Sequence, residues 1–153
     1  MKLSKKSEYA LRALIEIASR GPHGIVQIPE IAAKENIPEK FLEAILLQLK
    51  NAGILRSKRG VGGGYSFSRP PGGVTLGEVI RLMDGPLAPI ACVSRTAYER
   101  CSCPSEEECG LRSVMMEVRT AIIEILDKKT VQDIIKLTAL RRQALQNMLN
   151  FEI

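Results

Sequence analysis

The sequence predicts a mainly α-helical fold with one small β-hairpin, a short helical unit in front of the hairpin and one long helix behind it. Three observations lead there. Apolar residues recur three or four apart over most of the 153 residues, the spacing of amphipathic helices. Strand-like alternation occurs only in Ile54–Lys58 and Tyr65–Ser68, which flank a tip of Arg59-Gly60-Val61-Gly62-Gly63-Gly64. The longest regular pattern begins at Leu111 and steps by four and three through Met115, Val118, Ile122 and Ile125.

Composition bounds what such a chain can do. Apolar residues are 45% of the total and Trp is absent, so the core must be large and mostly aliphatic. No apolar run approaches the ~18 residues of a membrane span. The net charge is +5, and of 22 Lys/Arg and 17 Asp/Glu, residues 1–85 hold 13 and 8, leaving 9 and 9 for residues 86–153. The whole excess sits in the first half, as expected for a unit that binds a polyanion, although a merely soluble basic surface would look the same. The opening Met1–Ser7 lacks an apolar core of signal-peptide length, which sets the expectation of a cytoplasmic protein with no membrane partner.

Taken in order, Ser4 caps a helix running to about Arg20, with Tyr9, Ala10, Leu14, Ile17 and Ala18 on its apolar face. Gly21-Pro22-His23-Gly24 ends it and leaves His23, the only histidine, in a solvent-facing turn. A second helix spans about Pro29–Glu35, and Asn36-Ile37-Pro38 breaks it. A third covers about Pro38–Asn51, with Phe41, Leu42, Ile45, Leu46 and Leu49 as its expected buried stripe and Gly53 beyond its end. Pro38, Lys40, Glu43 and Leu47 are left on the other side, mostly near the N-terminal end. Two helices joined by a tight turn, the second with a polar N-terminal face, form the helix-turn-helix pattern that reads base edges in a major groove. Any small three-helix unit would share that outline. The hairpin decides between them: Arg56, Lys58 and Arg59 lead into a tip of glycines, Gly60 and Gly62 among them, which permits close backbone approach. No Lys-Ser/Thr and no helix follows those glycines, so this is not a phosphate-binding P-loop. A basic hairpin after a helix-turn-helix is a wing, able to lie on phosphates or enter a minor groove, and double-stranded DNA is the expected partner.

Thr75-Leu76-Gly77-Glu78 is a capping box that starts a helix to about Asp84, and Gly85-Pro86 closes it. All four cysteines follow within eighteen residues, as Cys92, Cys101, Cys103 and Cys109, in a Pro- and Gly-punctuated loop. In a reducing compartment disulfides are rare. Paired C-x-x-C units of the structural-zinc kind are absent, and one long loop can ligate an iron–sulfur cluster. Spacing alone leaves a cluster, a zinc site and a thiol switch all open. Glu106-Glu107-Glu108 reads as a solvated acidic run. Beyond the loop, Val114, Ala121 and Leu126 widen the stripe of the long helix, which is expected to be a dimer seam or to pack on the first unit. Thr130-Val131-Gln132-Asp133 caps a last helix carrying Ile134, Ile135 and Leu137. The expected organisation is a winged helix-turn-helix unit at 1–85, a cysteine-rich loop at 86–110, dimerisation and C-terminal helices at 111–138, and a flexible tail at 139–153. One histidine in a turn and no Ser/His/Asp set argue against an enzyme and against a small-molecule substrate. An electron-transfer iron–sulfur protein would leave the basic hairpin unexplained.

Tyr9-Ala10-Leu11-Arg12, the Arg59–Tyr65 glycine tip, Val74-Thr75-Leu76-Gly77-Glu78-Val79-Ile80 and the spacing Cys103-x5-Cys109 together resemble a known family. It is the winged helix-turn-helix bacterial regulators, typified by IscR and NsrR, that respond to iron–sulfur cluster status, nitric oxide or cysteine supply. The resemblance covers residues 1 to about 138. It implies a homodimeric transcriptional regulator, often a repressor, crossed by long helices, with an iron–sulfur cluster of the 2Fe–2S or 4Fe–4S type near the dimer interface. Carried over by position, Cys92, Cys103 and Cys109 are the cluster ligands, with Cys101 as an extra thiol able to replace Cys103. One type within the family takes a histidine three residues after the last cysteine; here that position is Arg112, which cannot ligate. Another type uses a carboxylate at the start of the first helix, donated by the partner subunit, and Glu8 occupies that place. Pro38, Lys40, Phe41, Glu43, Arg56, Lys58, Arg59, Gly60 and Gly62 are the expected DNA-contacting residues.

Overall fold

Ser4 sets the start of the first helix. In the computed structural model, which describes residues 2–151, the Ser4 hydroxyl accepts from the Ser7 N–H at 3.1 Å and α1 runs Lys5–Ser19. Helix α2 spans Ile28–Glu35 with Pro29 in its first turn, where a missing N–H costs nothing. Asn36 ends it at φ 52°, a left-handed conformation that asparagine tolerates better than most residues. Helix α3 follows at once, Glu39–Asn51, and Leu42, Ile45, Leu46 and Leu49 turn inward. Phe41 departs from the expected stripe. It stays 38% exposed at the edge of the helix and stands edge-on to Tyr9, ring centres 5.6 Å apart, because the first turn of α3 projects beyond the core.

The hairpin pairs β1 (Leu55–Lys58) with β2 (Gly64–Phe67), antiparallel, from Leu55 opposite Phe67 to Lys58 opposite Gly64. Val26, in the connection between α1 and α2, adds a short third rung: Val26 N–H donates to Tyr65 O at 2.9 Å and Tyr65 N–H returns to Val26 O at 2.8 Å. Gly64 makes that approach possible, since a Cβ there would overlap the Val26 carbonyl. A single residue has no strand period, so the rung was invisible to pattern reading.

Helix α4, Leu76–Asp84, begins where Thr75 Oγ1 accepts from the Glu78 N–H at 3.1 Å. The expected capping box is only half made, because the Glu78 carboxylate instead accepts from the Arg69 guanidinium, a stronger charge-assisted partner. Helix α5 spans Gly110–Lys128 and α6 spans Val131–Phe151. Between α5 and α6 the backbone returns to the first half of the chain: Leu76 N–H donates to Lys129 O at 2.8 Å and Val131 N–H to Val74 O at 3.0 Å. Val131 is fully buried there, in the core otherwise built from α1, α2, α3, the hairpin and α4. Thr130 and Asp133 cap α6 reciprocally, with Thr130 N–H on the Asp133 carboxylate at 2.9 Å and Asp133 N–H on Thr130 Oγ1 at 3.2 Å.

The stretch expected to be a flexible tail is helical where it is described. Residues 139–151 continue α6, and every side chain among them is exposed. Ala139-Leu140-Arg141-Arg142-Gln143-Ala144-Leu145 is a run of strong helix formers with no Gly or Pro after Gly110. The last two residues of the expected tail lie outside the described part. Along α5 the exposed line is Leu111, Val114, Val118, Ala121 and Ile125, while Met115 and Ile122 are half-buried.

No buried residue is aromatic among those described, in keeping with the composition. No described helix is long and apolar enough to cross a membrane. Among the described residues one charged side chain is buried: Glu16, 4% exposed, takes Lys34 at 2.6 Å and Arg20 at 3.1 Å, which ties α1 to α2. Burial alone would raise its protonation equilibrium, but the hydrogen bonds from Lys34 and Arg20 outweigh it and hold the carboxyl below its ordinary 4.5. A depressed folded-state value means stabilisation that is complete above 4.5 and lost as pH falls through the lower folded value. Thermal denaturation from neutral pH down into that range should therefore show a pH-dependent loss that Glu16→Gln reduces. An unchanged slope in Glu16→Gln would mean that other carboxylates carry the acid sensitivity.

Candidate nucleic-acid interface and cysteine loop

Two separate regions carry the chemistry. The first is a concave surface between the start of α2, the first turns of α3 and the hairpin. Its lining brings together Glu43, Lys58 and Gly60 with Gln27, Glu39, Ser57 and Tyr65. Pro38, Lys40 and Phe41 are exposed beside it on the first turn of α3, and Arg59 and Gly62 are exposed on the hairpin. Gly60 and Gly62 take φ of 87° and 71°, angles that glycine accepts readily, and a Cβ at Gly63 would overlap the Lys58 carbonyl inside the tip. Val61 stands fully exposed at the end. Arg56 lies apart from this surface: it donates to Ser66 Oγ at 3.2 Å and lines a second hollow with His23 and Arg69 at the base of the hairpin. The first helix braces α2 and the start of α3. Arg12 stacks over the Tyr9 ring at 5.5 Å and pairs with Glu35 at 3.2 Å, while Tyr9 meets Phe41. Gln27, Ser57 and Tyr65 escaped sequence reading because their place depends on the Val26–Tyr65 rung.

The second region is the cysteine loop, held against α5. Ala91–Val93 forms a helical turn that buries Cys92 and Val93. Two arginines of α5 fasten it: Arg119 donates to Val93 O at 2.7 Å and Arg112 to Cys92 O at 3.4 Å. Cys109 caps α5, its sulfur accepting from the Arg112 N–H at 3.4 Å. Glu106 is not part of a merely solvated run. Its carboxylate accepts from the Tyr98 hydroxyl at 2.7 Å and from the Cys101 N–H at 2.9 Å, so it closes the loop on itself. Those two bonds hold the Glu106 carboxyl below the ordinary range.

The thiols influence one another. Cys103 is pushed up to about 11, first by its hydrogen bond and charge interaction with Cys101, then by burial, then by Cys109. Burial, then Cys101 and Glu106, raise Cys92. The donors are thiols, the ligands that soft metals and iron–sulfur clusters prefer. Among the described residues, however, no three His, Cys, Asp or Glu side chains are gathered as a formed metal site. Glu8 sits on the first turn of α1, where it pairs with Lys5 at 2.8 Å and Arg12 at 3.4 Å. The Lys5 hydrogen bond leads in keeping it ionised.

Comparisons with known proteins converge on this architecture. A family model described as Rrf2, iron-dependent transcriptional regulator, matches residues 3–137. An rrf2-like HTH-type regulator of Rhodobacter capsulatus is 40% identical over 137 residues, covering 87% of this chain and 91% of its own. The HTH-type transcriptional regulator CymR of Bacillus subtilis is 33% identical over 90% of this chain and 92% of its own length. Its solved structure, titled the global cysteine regulator of that organism, superposes with a TM-score of 0.76 at 32% identity, over 90% of this chain and 98% of that one. The IscR structure from T. potens superposes with a TM-score of 0.71 at 28% identity, over 90% and 88%. The helix-turn-helix, the glycine-tipped wing and the long helices are thus shared over nearly the whole chain, which belongs to the Rrf2 family of winged-helix transcriptional regulators, DNA-binding proteins rather than enzymes.

Proposed function

We propose that the protein is a cytoplasmic, homodimeric, sequence-specific DNA-binding regulator whose affinity is set by chemistry at the cysteine loop. The observation that carries this reading is the continuous concave surface joining Glu43 of α3 to Lys58 and Gly60 of the hairpin. It fits a duplex with the start of α3 in the major groove and the hairpin on the flanking backbone. Pro38, Lys40 and Phe41 border the groove floor, and Glu43, an acceptor only, suits a cytosine amino group. Lys58 would meet phosphates beside this surface, Arg56 could reach the backbone only from the base of the hairpin, and Arg59 with the bare Gly60 and Gly62 backbone suits a narrow minor groove.

Dimerisation through α5 follows from its surface. Leu111, Val114, Val118 and Ile125 are 39–61% exposed and step by three and four, a seam without a partner in its own chain. A dimer would present two copies of α3 to two half-sites.

At the loop we favour an iron–sulfur cluster held by Cys92, Cys103 and Cys109, with Glu8 of the partner subunit as the fourth ligand and Cys101 as the alternative thiol. The family model's iron-dependent description and four thiols in one loop support it. Bound there, a cluster supplies iron–thiolate bonds that oxidants, nitric oxide or iron loss can break. The chain's own part is mechanical. Cys109 begins α5, and Arg81 clamps the far end of α5 through Asp127 with two bonds of 2.8 Å, so a change in the loop reaches the DNA-binding unit along one helix. A second reading, a thiol switch, is favoured by the hydrogen-bonded closeness of Cys101 and Cys103 and by the likeness to a Staphylococcus aureus CymR structure described as an oxidized form. Anaerobically purified protein with visible absorbance and bound iron is expected for the cluster. Colourless protein with four titratable thiols points to the switch, and one zinc per chain to a structural site.

Three outcomes test the assignments. For the DNA contacts, Arg59→Ala should cost about 1–3 kcal/mol of operator affinity, and Lys58→Ala should lower the salt slope by about one while weakening all sequences alike. Glu43→Ala should relax specificity more than affinity; wing variants with unchanged affinity and slope would remove the wing from the interface. For the dimer, Val118→Glu should give folded monomers in sedimentation, because it would bury an unpaired charge at a cost of several kcal/mol. For the loop, Cys92→Ala and Cys109→Ala should abolish visible absorbance, Cys103→Ser should lose it and Cys101→Ser should keep it. Glu8→Ala should leave a cluster that decays faster. The reverse behaviour of Cys101 and Cys103 would shift the ligand register by two residues.

A further inference from the structure

We infer that the C-terminal half of α6 is a second dimerisation element, residues 137–151 of one copy covering α5 of the other. It rests on the homodimer reading and goes beyond it, because the family match ends at residue 137 and this stretch is additional. Leu137, Leu140, Leu145, Met148, Leu149 and Phe151 are 46–92% exposed. At about 100° per residue they share one half of the helix circumference with Ala144, while Lys136, Gln143, Gln146, Asn147 and Asn150 hold the other half. A stripe of that size on a water-facing helix marks an interaction surface.

Length and charge select its occupant. The α6 stripe runs from Leu137 to Phe151 and the α5 stripe from Leu111 to Ile125, each about 21 Å at 1.5 Å per residue. Arg141 sits inside the apolar half of α6, and Arg142 borders it. Glu117 and Glu124 border the exposed line of α5. All four are exposed and, among the described residues, outside every ion pair. Within one chain the two helices are committed elsewhere: α5 rests on α4 and the Ala91–Val93 turn, and the start of α6 rests on α1 and the Pro71–Gly73 turn. A second copy offers a stripe of matching length flanked by the opposite charge, so α5 and α6 of two copies build one shared bundle.

The test uses the full-length protein in sedimentation over a concentration series, with Val118→Glu as the marker of the α5 seam. Leu145→Asp/Met148→Asp alters only exposed side chains, so the monomer fold should hold while the dimer dissociation constant rises at least about tenfold. Arg141→Glu should weaken the dimer by a few fold, and adding Glu124→Arg should recover part of that loss. An unchanged constant in the double Asp variant, with Val118→Glu still monomeric, would overturn the α6 assignment and leave the α5 seam standing. Wild-type protein that is monomeric throughout would overturn both. Weaker DNA binding by Arg141→Glu with dimerisation intact would also overturn it, by placing this helix on nucleic acid.

Discussion

The structure depends on a pair of backbone hydrogen bonds far apart in sequence. Val74 and Leu76, just before α4, pair with Val131 and Lys129 at the join between α5 and α6, at 3.0 and 2.8 Å. Neither group has another partner of that kind, and buried backbone groups must be satisfied. Val131 then enters the aliphatic core, so α6 starts from a fixed point inside the DNA-binding unit. The join fixes the end of α5 and the start of α6, alongside the packing of α5 on α4 and of α6 on α1. Without it α5 would meet the first half of the chain only through α4, on a surface that includes one exposed ion pair.

Around this join the close approaches depend on size as much as on charge. Gly77, in the first turn of α4, leaves room for the Asp127 carboxylate, which a Cβ would displace from Arg81. The same economy appears at the hairpin, where Gly64 admits the Val26 carbonyl. Both glycines fall inside the segments that carried the family resemblance. Their presence there has a steric reason, independent of any ligand.

Helix α5 is therefore a connector with two different ends. Its first turn is capped by Cys109 and its arginines hold the Cys92 turn, so the cysteine loop and the helix share hydrogen bonds. Its last turn is locked to α4 by a bidentate Arg81–Asp127 pair. The Arg81 bond leads in keeping Asp127 ionised. Between these ends its outer face is apolar and uncovered. One 19-residue helix thus joins the cysteine loop, an exposed apolar stripe and the winged-helix unit.

The sequence alone determined the local elements. Ser4, Thr75 and Thr130 capped helices because their hydroxyls satisfy free N–H groups, and the glycine tip forced a hairpin because only glycine accepts its dihedral angles readily. The excess positive charge lies in the first half, where a nucleic-acid surface was expected, and cysteine spacing marked the loop. Tertiary structure decided what depends on contacts between distant residues. Phe41, apolar and in phase with the α3 stripe, was left at the surface because its turn overhangs the core. Glu106 became a loop clamp because Tyr98 and the Cys101 N–H converge on it. The Val26 rung and the Val131 anchor are single residues with no period to read. Residues 139–151 are helical by intrinsic propensity and carry apolar residues at helical spacing, but only the folded chain shows that this face packs against nothing of its own. Local chemistry is written in neighbouring residues, whereas burial is a property of the whole folded surface.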